Sequence, residues 1–500
     1  MPRLAALVGC CVLALCACDG RTAHDPRGAA CSADGDCGAL RCVAEIPAKP
    51  KDLAALPLRC GDARAAGKQG QACQDARDCA RNVCLLAGAC AAPCAHDGDC
   101  GKGEQCQAVF ARASTDALQT LTACVAAVSL PKSAASTREV RPHALTVGTS
   151  EVELAAAETQ GTTLYVLEHM QGVWPGTVCR PPLCMQSLRT TDDPPVELWS
   201  SSADYRSGPP PRNPVATSDQ IDPAVILLPS GTRDALSSSG YVAEVVAEQR
   251  GDLRVTRLSR TDTGQRLDLN VFYLGGLDWQ PEGARGPALL TDALDQVDQI
   301  LAQADIFIGD VRQIAVPGGL PARGIAFPDG DSAQGFEVLQ LRYGVYMELP
   351  GLFRLSAGAA DSAVNLFFVK DIQPRPNDGE PEAESGGIPG PLGMHGTASS
   401  GIAIATDMMA GDPQRLAKTL AHEIGHYLGL FHTSESDGSV LDALADTPEC
   451  RSDRDLDHNG LDVADCQGYG ADNLMFWAKT TGTVLTAEQQ AVLRSALVLQ

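Results

Sequence analysis

The chain has few basic residues, few histidines and, beyond its first residues, no long apolar run. Lys and Arg total 39 against 62 Asp and Glu, and this excess of negative charge argues against nucleic acid or an anionic bilayer surface as a binding partner. After the N-terminal segment no stretch is apolar enough to cross a membrane. Because only 9 of the 500 residues are histidine, disulfides explain the cysteine-rich repeats at residues 31–124 better than metal knuckles do. The length allows two or three folded units with a sizeable core.

The first residues predict export. Arg3 precedes an apolar run at residues 4–17, which has the length of a signal-peptide core and is too short to span a bilayer. We therefore predict a signal peptide at residues 1–17.

The residues LCAC at positions 15–18 resemble the lipobox of bacterial lipoproteins, whose last cysteine is acylated and becomes the mature N-terminus. This resemblance implies lipidation of Cys18, with a lipid anchor and linker at residues 18–30. The protein would then be an exported outer-membrane or cell-surface lipoprotein, attached to the membrane only through this lipid. Because Cys16 is unusual at its place in a lipobox, cleavage by ordinary signal peptidase stays open and would leave a periplasmic or secreted protein.

Four of the cysteines lie in the leader, and the remaining 16 are an even number, which in an exported chain predicts a set of disulfides. Twelve of these form a threefold repeat of four cysteines at residues 31–124, beginning with CSADGDCGALRC. Four cysteines allow three pairings, so the connectivity stays open. The units have too few apolar residues for a core and depend on their bridges. The other cysteines form two local pairs, Cys179 with Cys184 and Cys450 with Cys466.

The rest of the chain divides by its pattern. Residues 125–142 are polar and contain proline, which predicts a linker. Residues 143–262 contain short alternating segments separated by turn residues, which predict a β-sandwich-like domain. From residue 263 to residue 500, strands alternate with helices, which predicts an α/β domain. The predicted fold is therefore multidomain, with disulfide-rich repeats, a β-sandwich-like domain and a C-terminal α/β domain.

The segment DPQRLAKTLAHEIGHYLGLFH at residues 412–432 predicts a metal-binding helix. Asp412 suits the N-cap, and apolar residues at helical spacing fix the helix to a core. His422 and His426 are four residues apart, so both imidazoles project from one face and can share a tetrahedral zinc ion. Glu423 lies beside them and can accept a proton from metal-bound water.

Gly429 supplies the left-handed turn that ends this helix and lets the chain fold back. His432 then reaches the third ligand position, and water takes the fourth. The resulting pattern HExxHxxGxxH resembles that of the metzincin zinc peptidases. We therefore predict the metal ligands His422, His426 and His432, with Glu423 as the general base.

Further residues resemble the pappalysin (cytophagalysin) branch of the metzincins. They are Thr433 after the third ligand, ADTP at 445–448, DNLM at 472–475 and LTAEQQAVL near the C-terminus. The resemblance implies a zincin-like catalytic domain at residues 263–500 that hydrolyses peptide bonds of protein or peptide substrates by glutamate-activated, zinc-bound water. It also implies that Met475 forms the tight turn beneath the metal.

One position departs from this family. Relatives commonly carry Tyr two residues after the methionine, as a transition-state donor or a swinging ligand, whereas this chain has Trp477. An indole can donate a hydrogen bond but cannot ligate zinc. We therefore keep Trp477 as a candidate transition-state donor and expect activity to survive the change.

An acidic loop between Cys450 and Cys466 contains oxygen ligands around Gly460, which is the pattern that calcium coordination needs. The spacing misses the EF-hand template at its last position, so a solvated acidic loop pinned by one disulfide stays open as an alternative. Family relatives carry calcium near the substrate, which supports a Ca²⁺ site by analogy. The candidate ligands are Asp453, Asp455, Asp457, Asn459, Asp462 and Asp465.

Two further alternatives stay open. The residues LRCGD at 58–62 resemble the thiolate switch that silences some metzincin zymogens, although the even cysteine count favours a disulfide for Cys60. The chain could also be a surface binding or adhesion lipoprotein with a catalytically idle metzincin scaffold. The complete set of three ligands and Glu423 weighs against that alternative, because an idle site has no physical need for them. The sequence does not indicate an oligomeric state.

Overall fold

The structure is a computed structural model that describes most of the chain from residue 27 onward. None of the helices in its described part is long and apolar enough to span a lipid bilayer. The predicted signal peptide, Cys18 and Cys179 lie outside the described residues. These residues are 27, 29–37, 39–44, 58–62, 67–114, 117–131, 135–145, 147–158, 161–169, 183–200, 216–218, 223–229, 239–247, 251–275, 277–317, 338–340, 348–359, 362–373, 381–409, 411–458, 460–478 and 482–500.

The cysteine-rich segment consists of three units with the same disulfide pattern, in which the first cysteine pairs with the third and the second with the fourth. The metal-knuckle alternative is therefore wrong here. Cys60 is bridged, so the zymogen-switch alternative is wrong for this residue as well. The bridges are Cys31–Cys42, Cys37–Cys60, Cys73–Cys84, Cys79–Cys90, Cys94–Cys106 and Cys100–Cys124.

The aspartate before the second cysteine of each unit, Asp36, Asp78 or Asp99, closes a short turn. One of its carboxylate oxygens accepts the backbone N–H groups of the residues four and three positions earlier, at 2.7–3.2 Å. The aspartate of the recurring Asp-Cys pair therefore closes the same turn in each of the three units. The strands of this segment form two antiparallel hairpins, β1 (Arg41–Ala44) with β2 (Leu58–Gly61) and β3 (Glu104–Ser114) with β4 (Ala117–Ala126).

Two antiparallel sheets follow, and they enclose one core between them. One sheet has the strand order β10-β11-β7-β13-β5, and the other has the order β6-β12-β8-β9. Their strands are β5 (Ala135–Leu145), β6 (Gly148–Leu154), β7 (Thr162–His169), β8 (Leu183–Thr190), β9 (Glu197–Ser200), β10 (Ala216–Ser218), β11 (Ala224–Leu228), β12 (Tyr241–Ala247) and β13 (Gly251–Arg260).

The strand β5 contradicts the second part of the linker predicted at residues 125–142, because residues 135–142 belong to this strand. Its backbone pairs with β13 at the edge of the five-stranded sheet. Proline cannot donate a ladder hydrogen bond, so it is tolerated at edges and irregularities. Here the pairing register shifts between Leu253 and Val255, whose partners flank the stretch that contains Pro142. The polar, proline-containing composition thus describes an edge strand and not a linker.

The five-stranded sheet is buried on both faces in its central strands. Alternate residues of β7 and β11 point to opposite sides, and one set, including Tyr165 and Ile226, lies in the core between the two sheets. The other set belongs to the core of the C-terminal α/β unit, so the boundary predicted at residue 262 does not separate two cores. The residues that join the C-terminal core are Leu164, Val166, Val225, Leu227 and Leu258.

The C-terminal unit is built on a mixed sheet of order β15-β14-β17-β20-β19, parallel except for the antiparallel edge strand β19. Every residue of β17 is buried, which is typical of a parallel strand covered on both faces. The strands are β14 (Arg266–Tyr273), β15 (Phe307–Ala315), β17 (Ala363–Val369), β19 (Ala383–Ser385) and β20 (Ile402–Ala405), with β16 (Val338–Gln340) and β18 (Asp371–Gln373) as a separate parallel pair.

The helix that carries the predicted ligands lies beside this sheet. Its N-cap Asp412 accepts the N–H groups of Gln414 and Arg415 at 2.9 and 3.2 Å. Glu382, just before β19, accepts hydrogen bonds from Arg415 and Thr419, and so ties the helix to the edge strand. The helices are α1 (Ala288–Leu301), α2 (Leu349–Phe353), α3 (Thr406–Met409), α4 (Pro413–Leu428) and α5 (Ala487–Arg494).

Candidate metal centre and active site

Three histidines converge at the end of α4. His422 and His426 project from one helical face, and the chain beyond the helix brings His432 to them. The Nε2 atom of His432 lies 3.2 Å from Nε2 of His422 and 3.1 Å from Nε2 of His426. Three imidazoles at about 2.0–2.1 Å from a tetrahedral zinc ion would have their nitrogens roughly 3.3 Å apart. The two distances to His432 match that spacing, and ligand nitrogens of all three histidines lie within 4.8 Å of one another.

Each imidazole is oriented by a hydrogen bond at its other nitrogen. Carbonyl and carboxylate oxygens only accept, so Nδ1 carries the proton and the lone pair of Nε2 faces the centre. Such partners fix the ring of a metal-binding histidine and raise its basicity. The Nδ1 donors reach Leu474 O from His422 at 2.8 Å, Leu430 O from His426 at 2.7 Å, and both carboxylate oxygens of Glu435 from His432 at 3.1 Å.

Glu435 is a site residue that the sequence analysis did not identify. Desolvation raises the pKa of its carboxyl, whereas the hydrogen bond from His432 and the electrostatic attraction toward the nearby imidazoles lower it, and the pKa lies below its ordinary value. The group is therefore an ionised acceptor at neutral pH. Its position three residues after His432 is the sequence feature that could have indicated a role in the site.

The helix ends at Gly429, whose φ of 115° is left-handed. A side chain there would also meet the sandwich, because a Cβ atom on Gly429 would lie 2.6 Å from Cδ2 of Leu227. Both the backbone angle and the close approach require glycine at this position. The turn that leads to His432 is thus packed against strand β11.

Met475 is fully buried beneath the helix. Its Sδ atom would lie 2.6 Å from a Cβ atom on Gly425, so the glycine between the two helical histidines makes room for it. The N–H of Met475 donates to Oδ1 of Asn473 at 2.8 Å, and its carbonyl accepts from the N–H of Thr433 at 3.0 Å. The turn is therefore bonded to the residue that follows His432.

Glu423 follows His422 in α4 and is only 2% exposed. Trp477 is half-buried and packs beside Phe476, with ring centroids 5.2 Å apart, in a cluster that includes the bridged Cys450 and Cys466. Within the described part of the chain, the buried indole Nε1 of Trp477 has no hydrogen-bond acceptor.

The structure brings only three of the six predicted calcium ligands into one described group. Carboxylate oxygens of Asp455, Asp457 and Asp465 lie within 4.8 Å of one another. Among the described residues this group does not include Asp453 or Asp462, and Asn459 lies outside them. Asp462 accepts N–H groups from its own turn at 2.7 and 3.1 Å. The Cys450–Cys466 bridge closes this loop. Of the predicted pair Cys179–Cys184, Cys179 and the side chain of Cys184 lie outside the described residues.

Comparison with known proteins places this site in a protease-type segment. Residues 393–497 match the Peptidase_M43 family model, described as pregnancy-associated plasma protein-A. The chain is also 32% identical over 112 residues to "Extracellular metalloprotease 1" of Coccidioides posadasii, which covers 22% of this chain and 39% of that relative. The family match covers the segment that contains His422, His426 and His432, and together the two matches support a metalloprotease.

Proposed function

We propose that the protein is a zinc-dependent endopeptidase, a pappalysin-like metzincin that cleaves protein or peptide substrates. The observation that carries this proposal is that Nε2 of His432 lies 3.1–3.2 Å from Nε2 of both helical histidines, with each ring held at Nδ1 by a fixed acceptor. The buried Glu423 beside them supplies the base that hydrolysis needs.

The chemistry divides between the ion and the chain. A bound zinc supplies a Lewis acid that polarises a carbonyl and lowers the pKa of water. His422, His426 and His432 would hold it through their Nε2 atoms. Glu423 accepts a proton from the attacking water and later passes it to the leaving amine, so no covalent intermediate is needed. Trp477, with its buried indole donor, is the candidate to stabilise the developing oxyanion.

We further propose that Asp455, Asp457 and Asp465 bind calcium. Asp453, Asn459 and Asp462 are the further candidate ligands in the same loop. Three carboxylates that lie this close repel one another unless a cation neutralises them. The competing hypothesis is a solvated acidic loop held by the Cys450–Cys466 bridge alone.

The proposed location is outside the cytoplasm. The bridges of the cysteine-rich segment require an oxidising compartment, and the relative from Coccidioides posadasii is described as extracellular. Lipidation of Cys18 would hold the enzyme on a bacterial outer membrane or cell surface. Without it, the protein would be periplasmic or secreted.

The test compares the full chain with Glu423→Gln and with the control Glu449→Gln, which changes a glutamate outside the triad. With casein as substrate, we expect Glu423→Gln to lose about 10²–10⁴-fold in kcat, as loss of a general base does, while its zinc content stays that of the wild type. The control should keep full activity. Equal hydrolysis by all three proteins would refute the mechanism, and a metal-free, inactive wild type would favour the adhesion lipoprotein.

A further inference from the structure

A pair of buried side-chain amides lies behind the Met475 turn. Asn473 is 1% exposed and Gln489, on helix α5, is fully buried. Nδ2 of Asn473 donates to Oε1 of Gln489 at 2.9 Å, and Nε2 of Gln489 donates to Oδ1 of Asn473 at 3.0 Å. Buried amides keep such a reciprocal arrangement because an unpaired donor or acceptor is costly away from water. Each side chain therefore sets the orientation of the other.

The pair also holds backbone groups on both sides. Oδ1 of Asn473 accepts the N–H of Met475 at 2.8 Å, and Oε1 of Gln489 accepts the N–H of Thr486 at 3.0 Å. Thr486 is the N-cap of α5, so the residue that completes the capping box of this helix also supports the turn beneath the metal centre. One glutamine thus connects the start of the last helix to the turn.

The Met475 turn is hydrogen-bonded to one proposed ligand, His422, and to the residue that follows another, His432. The carbonyl of Leu474 accepts from Nδ1 of His422 at 2.8 Å, and the carbonyl of Met475 accepts from the N–H of Thr433, directly after His432, at 3.0 Å. If the amide pair is broken, both carbonyls lose the support that fixes their direction.

We propose that Gln489 is a positioning residue for the metal centre. It holds Asn473, which holds the Met475 turn, whose carbonyls orient His422 and the segment that carries His432. The proposal deepens the zinc-peptidase function and rests on that function for its effect on metal affinity. Its effect on the turn itself does not depend on the metal.

The experiment uses the full chain with Gln489→Leu, which removes every hydrogen bond of the amide, and Gln489→Glu. The carboxylate of Gln489→Glu can still accept from Asn473 and Thr486 but cannot donate to Oδ1 of Asn473. The matched control is Gln490→Leu, because the side-chain amide of the neighbouring Gln490 donates to Leu485 O, at 3.0 Å, and not to the Met475 turn.

Two measurements distinguish the role of Gln489 in supporting the Met475 turn from its effect on the proposed zinc site. Hydrogen exchange of the metal-free proteins reports on the Met475 N–H, and competition with a chelator reports on affinity for Zn²⁺. We expect both Gln489 variants to exchange this amide at least tenfold faster and to bind zinc about 10–100-fold more weakly, as loss of an outer hydrogen bond does. Gln490→Leu should match the wild type in both measurements.

A folded Gln489→Leu with unchanged exchange at the turn, or with wild-type zinc affinity, would overturn the proposal. If this variant does not fold, Gln489→Glu decides by the same two measurements. If the wild type binds no zinc, the proposed function fails, and the exchange rates alone decide whether Gln489 supports the turn.

Discussion

Both carboxylate oxygens of Glu435 lie 3.1 Å from Nδ1 of His432. The other two histidines of the centre donate to backbone carbonyls, which no substitution can remove. A substitution of Glu435 can therefore change the orientation of the His432 ring without replacing the histidine itself. A carboxylate at this position also adds negative charge next to a site proposed for a dication, which strengthens binding.

Replacing Glu435 should weaken the metal centre without unfolding the chain. We expect Glu435→Ala to bind zinc about 10–100-fold more weakly, and Glu435→Gln to fall between this variant and the wild type because its amide oxygen still accepts. Chelator competition measures the affinity. Asp437→Asn serves as a control, since Asp437 bonds to Ser439 in the same loop. Wild-type affinity in Glu435→Ala would show that this hydrogen bond does not support the ligand.

Gly429→Ala should destabilise the turn that leads to His432. A left-handed backbone costs a non-glycine residue about 1–2 kcal/mol, and the added methyl would also collide with Leu227. Gly411→Ala is the matched control, because Gly411 has a φ of 75° but nothing within 4 Å of its Cβ position. Thermal unfolding should show a larger loss for Gly429→Ala, partly recovered in the double variant with Leu227→Ala. Equal losses at the two glycines would argue against the contact with the sandwich.

The C-terminal unit should not fold without the sandwich. A fragment of residues 263–500 would expose the side of its core that β7 and β11 cover through Leu164, Val166, Val225 and Leu227. Exposed apolar surface of this kind leads to aggregation. We expect the fragment to be insoluble, or to unfold without cooperativity in calorimetry, while the full chain unfolds cooperatively. A soluble fragment that melts cooperatively would mean that the two cores are separable.

Calcium should stabilise the acidic loop. A ligand that binds only the folded state adds about 2.7 kcal/mol at a concentration of 100 times its dissociation constant. We expect calcium to raise the melting temperature of the wild type but not that of Asp455→Asn/Asp457→Asn. Asp252→Asn, on strand β13, should respond as the wild type does. A melting temperature that is indifferent to calcium in all three proteins would favour the solvated loop.

The local parts of the site could be predicted from the sequence. Helix α4 is specified by Asp412 at its start and Gly429 at its end, and the spacing of its histidines places both on one face. The capping box of Thr486 and Gln489 is equally local, since its two residues are three apart in the sequence. Patterns within one or two helical turns suffice for these features.

The remaining parts depend on contacts between distant residues. Gln489 pairs with Asn473, 16 residues earlier, and no local pattern indicates which buried amide a glutamine will meet. The spacing of four cysteines does not select among three pairings. Strand β5 was assigned to a linker because its composition is polar, and only its pairing with β13 makes it a strand. Tertiary partners override local composition in these cases.

The most direct test of the account is the zinc stoichiometry of the purified full chain, measured by mass spectrometry under native conditions. We expect one zinc per chain in the wild type and in Glu423→Gln, and none in a variant that replaces His422 and His426 by alanine. A wild type that stays free of zinc when the ion is supplied in excess would contradict the central claim.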